Sequence, residues 1–142
     1  MDQPAQPYAA GQRDTRPWGE WTVIDAGTGF VVKRIVVRPG QRLSLQRHRH
    51  RDEHWVVVAG TAQVTRGDAT FELGVGGTTQ IARGEAHRVA NLGVEDVVFI
   101  EVQLGSLLSE DDIQRLEDAY GRVAPPCEQP VDPEKDITTR CA

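Results

Sequence analysis

Hydrophobic and polar positions alternate along most of the chain, in short runs separated by turn-forming residues. The runs at 30–37, 43–50, 55–59, 62–65, 70–73, 79–81, 87–91 and 97–103 are rich in β-branched residues and predict short strands. Pro39-Gly40, Ala59-Gly60, Arg66-Gly67-Asp68, Gly76-Gly77, Arg83-Gly84 and Leu92-Gly93 fall between them and supply turns. That spacing suits an antiparallel sandwich or barrel, because parallel strands need a long crossover, usually a helix, between them. One segment alone carries a helical period. Ser109 can cap it, Glu110, Asp111 and Asp112 suit a helix N-terminus, and Ile113, Leu116 and Tyr120 recur on one face. Gly121 is placed to end it. The predicted class is all-β with one short C-terminal helix.

At 142 residues, 39% of them apolar, the chain has the size and composition of one domain with one core. The expected organisation is a flexible polar lead over 1–15, a folded body over 16–122, and a flexible tail over 123–142. Pro125, Pro126, Pro130 and Pro133 crowd that tail, which has too little apolar content to offset the entropy of ordering it. Its two cysteines, Cys127 and Cys141, are given no chemical role. The formal charge of −5 argues against a nucleic-acid partner. No apolar run approaches membrane length and the first residues have no signal-peptide pattern, so no membrane partner and a cytoplasmic location are expected. Seven of the sixteen basic residues nonetheless fall between Lys33 and Arg51, which leaves room for a small anionic ligand.

The candidate chemistry lies in the histidines. All four fall between residues 48 and 87, three of them in His48-Arg49-His50-Arg51-Asp52-Glu53-His54. On a strand, positions i and i+2 share a face, so His48 and His50 can address one ion, with Ser44 and Gln46 on the same face. Glu53 on the next strand adds a carboxylate and His87 a fourth ligand. Three imidazoles and a carboxylate suit a divalent transition metal: Zn, Mn, Ni, Co or Fe. His54 has the opposite parity to Glu53 in a regular strand and would join that face only through a β-bulge.

These residues also carry a family resemblance. Glu53, six residues and Gly60 after a His-x-His resemble the first cupin motif, and Gly76, Gly84, His87 and Asn91 fall at the spacing of the second. One residue fewer than usual separates His50 from Glu53, and Ala82 stands in place of the usual proline. Arg16-Pro17-Trp18-Gly19, Val32-Lys33-Arg34-Ile35, Leu43-Ser44-Leu45-Gln46, Glu53-His54-Trp55-Val56-Val57-Val58 and Glu110-Asp111-Asp112-Ile113 are similar to the type II mannose-6-phosphate isomerase cupin. Glu101-Val102-Gln103 and Asp118-Ala119-Tyr120-Gly121-Arg122 extend the likeness. The resemblance implies a cupin double-stranded β-helix, or jelly-roll barrel, and metal-dependent interconversion of mannose-6-phosphate and fructose-6-phosphate. In that family the cupin is commonly half of a bifunctional enzyme. The sequence as given has no transferase half, so isomerase activity without guanylyl transfer is expected. Leu107 and Leu108 stand where an aromatic-Leu pair is usual.

Such an isomerisation needs a metal to hold charge on the enediolate oxygens and a base to move a proton between adjacent carbons. Glu53, Lys33, Glu101 and His54 are the candidates for the base. Lys33, Arg51 and Arg16 are candidates for the phosphate, and Gln46, Ser44 and Gln103 for further substrate contacts. The expected partners are a small-molecule sugar phosphate and, because open sheet edges invite pairing, a second copy in a homodimer. Two other functions use the same residues: an iron-dependent cupin dioxygenase, and a sugar-phosphate-binding cupin without catalysis.

Overall fold

A computed structural model of the chain describes residues 8–118. The strands are β1 (Arg13–Arg16), β2 (Gly19–Gly27), β3 (Phe30–Val37), β4 (Leu45–Arg47), β5 (Arg51–Ala59), β6 (Ala62–Arg66), β7 (Ala69–Leu73), β8 (Thr78–Ile81), β9 (His87–Ala90), β10 (Val97–Gly105) and β11 (Gln114–Glu117). They form a six-stranded sheet in the order β1-β2-β3-β10-β5-β8 and a five-stranded sheet in the order β11-β4-β9-β6-β7. Every pairing is antiparallel.

Alternation along three central strands decides what the barrel contains. Val31, Lys33, Ile35 and Val37 of β3, Arg51, Glu53, Trp55 and Val57 of β5, and Val97, Phe99, Glu101 and Gln103 of β10 are all buried. Register places Phe99 between Ile35 and Val57, Glu101 between Lys33 and Trp55, and Gln103 between Val31 and Glu53. The interior therefore changes character along its length. One end packs Val37, Val57, Val64, Val97 and Phe99, each buried apolar side chain contributing about 1.5–3 kcal/mol. The other end is lined by ionisable groups that must satisfy one another.

Several elements differ from expectation. Alternation read from residue 30 onward misses β1 and β2, whose buried Trp21 and Val23 are interleaved with Thr22 and followed by an irregularity at Val23/Asp25. Tyr8, inside the expected flexible lead, is 2% exposed and meets Trp21 edge-on at 5.7 Å between centroids. The expected helix is absent from the described part of its segment: residues 109–112 make a turn, and β11 follows. Strand β11 pairs with β4, and Arg47 Nε donates to Gln114 Oε1 at 2.8 Å. Those tertiary bonds override a helical period too short to be stable alone. Tyr120, Gly121, and the expected tail with Cys127 and Cys141 lie outside the described residues. No described helix is long and apolar enough to cross a membrane.

The turn between β5 and β6 rests on Gly60. Its φ is +73°, and a Cβ there would lie 2.6 Å from the Asp96 carbonyl oxygen. Gly40 has a similar φ of +77° but open space around it. Gly40→Ala should therefore cost about 1–2 kcal/mol in urea unfolding, the backbone strain alone. Gly60→Ala should cost about 3 kcal/mol or more, because the Asp96–Val97 backbone must also move. Equal losses would contradict the close approach.

Candidate metal centre

At the polar end, His48, Glu53 and His87 are brought together, all buried, with one ligand atom from each lying within 4.8 Å of the others. Strand β5 supplies Glu53, β9 supplies His87, and His48 follows β4. His48 Nδ1 lies 2.7 Å from the Asp112 carbonyl oxygen, and His87 Nδ1 lies 2.9 Å from that of Glu85. A carbonyl oxygen only accepts, so each Nδ1 carries the hydrogen and each Nε2 presents a lone pair.

The two Nε2 atoms stand 3.1 Å apart, and His48 Nε2 lies 3.1 Å from Glu53 Oε2. His87 Nε2 is 3.7 Å from Glu53 Oε1. Arg51 answers part of this convergence, with Nη2 3.3 Å from His48 Nε2 and Nε donating to Glu53 Oε2 at 2.9 Å, and a cation between the three groups would answer the rest, the His87 Nε2 lone pair included. Ligands about 2.1 Å from one ion and at right angles around it would sit about 3.0 Å apart, close to these spacings. The donor set fits a divalent transition metal.

His50 does not join this set. Its side chain is exposed in the bend between β4 and β5, and only its backbone is anchored, the N–H donating to Asp112 Oδ2 at 2.9 Å. The shortened spacing from His50 to Glu53 is the sign of this in the sequence. Counted from His48, four residues precede Glu53, and the same-face position two residues before His48 is Gln46. Gln46 is the strand partner of His87 and lines the cavity with Glu53 and His87. His54 also stays out. Registers 53↔103, 54↔102 and 55↔101 run without a bulge, so His54 points outward and is exposed.

The other expected residues divide into two groups around the same cavity. Glu101 and Gln103 are buried beside Glu53, with Gln103 Nε2 donating to Glu101 Oε2 at 2.9 Å. Trp55 Nε1 donates to Glu53 Oε1 at 3.0 Å and to Glu101 Oε1 at 3.1 Å, bridging the two carboxyls. Arg51 is 4% exposed and gives Nε to Glu53 Oε2 at 2.9 Å, so its charge is committed to the centre instead of to an incoming anion. Ser44 is buried and its hydroxyl receives Gln46 Nε2 at 2.9 Å.

Lys33 and Arg16 converge instead on Glu110, Lys33 Nζ at 3.2 Å from Oε2 and Arg16 Nη2 at 3.2 Å from Oε1. Tyr8 Oη donates to Glu110 Oε2 at 2.5 Å. Lys33 Nζ also lies 4.1 Å and 4.3 Å from the ring centroids of Tyr8 and Trp21, a cation held between two aromatic faces.

Burial and neighbouring charge shift the titrations. Burial opposes ionisation of Glu53, but the Arg51 guanidinium holds its carboxyl well below the usual range. Burial, then the Glu53 charge, raises Glu101 to about 8, so the two adjacent carboxyls are pushed apart. Burial lowers His87 to about 4, which keeps it neutral and able to ligate at neutral pH. Burial lowers Lys33 against the pull of Glu110. Burial also opposes ionisation of Glu110, yet Lys33, Tyr8, Arg51 and Arg16 outweigh it and bring Glu110 down to about 2.

Sequence reasoning passed over Tyr8, Glu110 and Asp112 as site residues. The two acids stood out as a helix N-terminus and as part of a segment that carries the family resemblance, with no site role attached, and Tyr8 stood in a polar lead. Arg88 and Arg115, which line the cavity with Arg16, had no distinguishing pattern.

A two-sheet antiparallel barrel with a buried His-Glu-His cluster at its polar end is a cupin. The family model for the C-terminal region of mannose-6-phosphate isomerase matches residues 5–118, and the chain belongs to that family. The alginate biosynthesis protein AlgA of Pseudomonas aeruginosa is 56% identical over 116 residues, covering 82% of this chain and 24% of that protein. The mannose-1-phosphate guanylyltransferase ManC of Salmonella typhimurium is 52% identical over 108 residues, covering 76% and 22%. The chain thus spans about a quarter of the length of these relatives. A solved structure of a protein with a double-stranded β-helix domain from Klebsiella pneumoniae aligns with a TM-score of 0.56 and 26% identity. It covers 60% of this chain and 75% of its own.

A carboxylate with a lowered pKa stabilises the fold above its unfolded value and loses that contribution as pH falls. For Glu110 the window runs from about 4.5 down to about 2. The stability difference between the parent protein and Glu110→Gln should therefore be largest above pH 4.5, about 2 kcal/mol, and shrink on acidification. Urea unfolding at stepped pH reads it. A difference constant from pH 6 to pH 2.5 would contradict the ion cluster.

Proposed function

We propose that this cupin is a metal-dependent aldose-ketose isomerase interconverting mannose-6-phosphate and fructose-6-phosphate. The observation that carries this is the convergence of two imidazole lone pairs and a carboxylate beside a second buried carboxyl, Glu101, in a member of this family. The reaction moves a proton between C1 and C2 of the open-chain sugar and redistributes bonding between their oxygens. A divalent ion of Zn, Mn, Ni, Co or Fe, held by His48, Glu53 and His87, supplies Lewis-acid stabilisation of the charge on those oxygens. Gln46 is assigned as a fourth ligand through Oε1, because its Nε2 is engaged by Ser44.

Glu101 is assigned the proton transfer. It is the buried acid beside the cluster that is not needed as a ligand, with Lys33 and Trp55 as its strand neighbours. Gln103 Oε1 is buried without a hydrogen-bond partner and can accept from a sugar hydroxyl. The cavity encloses only about 50 Å³, room for an ion and one or two oxygen atoms, so the reacting end of the sugar enters and the phosphate stays at the rim. Arg16, Arg88 and Arg115 line that cavity and are assigned to the phosphate.

The dioxygenase alternative rested on three histidines and a carboxylate, and with His50 outside the cluster it lacks its third imidazole. A homodimer remains part of the proposal on the open edges β1 and β8 of one sheet and β11 and β7 of the other. Purified protein with added metal should isomerise mannose-6-phosphate. Glu53→Gln and His87→Ala should lose both metal and turnover, and His50→Ala should keep both. Glu101→Gln should keep the metal and lose about 10²–10⁴ in kcat. Sugar-phosphate binding without turnover under any of the five metals would contradict the isomerase and leave a binding module.

A further inference from the structure

The bend that carries His48 has backbone donors to satisfy. Arg49 and His50 fall between β4 and β5, and both of their N–H groups need a partner outside the sheets. One side chain answers both: Asp112 Oδ1 accepts from Arg49 N at 3.0 Å and Oδ2 from His50 N at 2.9 Å. The carbonyl oxygen of the same residue accepts from His48 Nδ1 at 2.7 Å. Asp112 thus grips His48 twice, through the backbone that follows it and through its ring.

The turn that presents Asp112 is itself braced. Asp112 N donates to the Ser109 carbonyl at 3.1 Å, Asp111 N to Ser109 Oγ at 3.1 Å, and Arg51 Nη1 to the Ser109 carbonyl at 3.2 Å. We infer that Asp112 is a positioning residue for the metal centre. Its carboxylate fixes the bend after His48 while its carbonyl fixes the tautomer and aim of the ring, so that Nε2 faces Glu53 and His87. Partners of this kind, which orient a ligating histidine without touching the ion, typically contribute about 10–100-fold to metal affinity. The inference rests on the metal reading of the cluster and adds the residue that aims its first ligand.

The test uses Co²⁺ added to the metal-free full chain, reading its dissociation constant and visible absorption, with far-UV circular dichroism to establish folding. Asp112→Ala should bind Co²⁺ about 10–100-fold more weakly, with an altered visible spectrum. Asp112→Asn, which keeps the shape but turns an N–H group toward one of the two backbone donors, should fall between Asp112→Ala and the parent. It decides the matter if Asp112→Ala does not fold. Asp111→Ala removes the same charge from an exposed neighbour and should leave affinity and spectrum unchanged. Unchanged Co²⁺ affinity and spectrum in the folded Asp112 variants would overturn this inference alone. A parent protein that binds no Co²⁺ would overturn the metal reading and this inference together.

Discussion

Glu53 is 1% exposed, and an ion taken that far from water costs several kcal/mol unless its surroundings answer it. Arg51 and Trp55, on its own strand, both donate to it, and an ion shared with the Nε2 lone pairs of His48 and His87 would complete the answer. Each of those groups must then be held in place, and that demand sets the rest of the polar end. His87 is oriented by the Glu85 carbonyl and His48 by Asp112, while Arg51 is anchored to Ser109. The alternation of β3, β5 and β10 makes this possible, by leaving one end of the interior to hydrocarbon and the other to charge.

A second ionic cluster closes the same cavity. Glu110 takes Lys33, Arg16 and the Tyr8 hydroxyl, so the first described residue and the turn before β11 meet over the barrel mouth. The turn over 109–112 therefore serves both clusters, through Glu110 at the cation site and Asp112 at the metal site. Three buried or half-buried acids, Glu53, Glu101 and Glu110, face Lys33, Arg51 and Arg16. Burial, and then the charge of Glu53 held on the same indole N–H, raises Glu101 to about 8.

Much of this was legible in the sequence where the pattern was local. Alternation placed β3 at its observed limits, and parity put Ser44, Gln46 and His48 on one face of their strand and set His54 opposite Glu53 on the next. Counting from His50 instead of His48 picks a histidine whose side chain is exposed outside the cluster, because parity allows both and only the course of the bend separates them. The acids at 110–112 read as a helix start because their partners, Tyr8, Lys33 and the bend at 49–50, are more than sixty residues away along the chain. No periodicity could reveal β11, which owes its form to pairing with β4, or the burial of Tyr8, a single aromatic residue in a polar lead.

His48, Glu53 and His87 are proposed to hold a single divalent ion at the polar end of the barrel. Anomalous diffraction at the metal absorption edge from crystals of metal-loaded protein tests it most directly. One peak is expected within bonding distance of both Nε2 atoms and a Glu53 oxygen, with the His50 imidazole remote from it. A peak ligated by His50, or metal bound elsewhere with the cluster left bare, would contradict it.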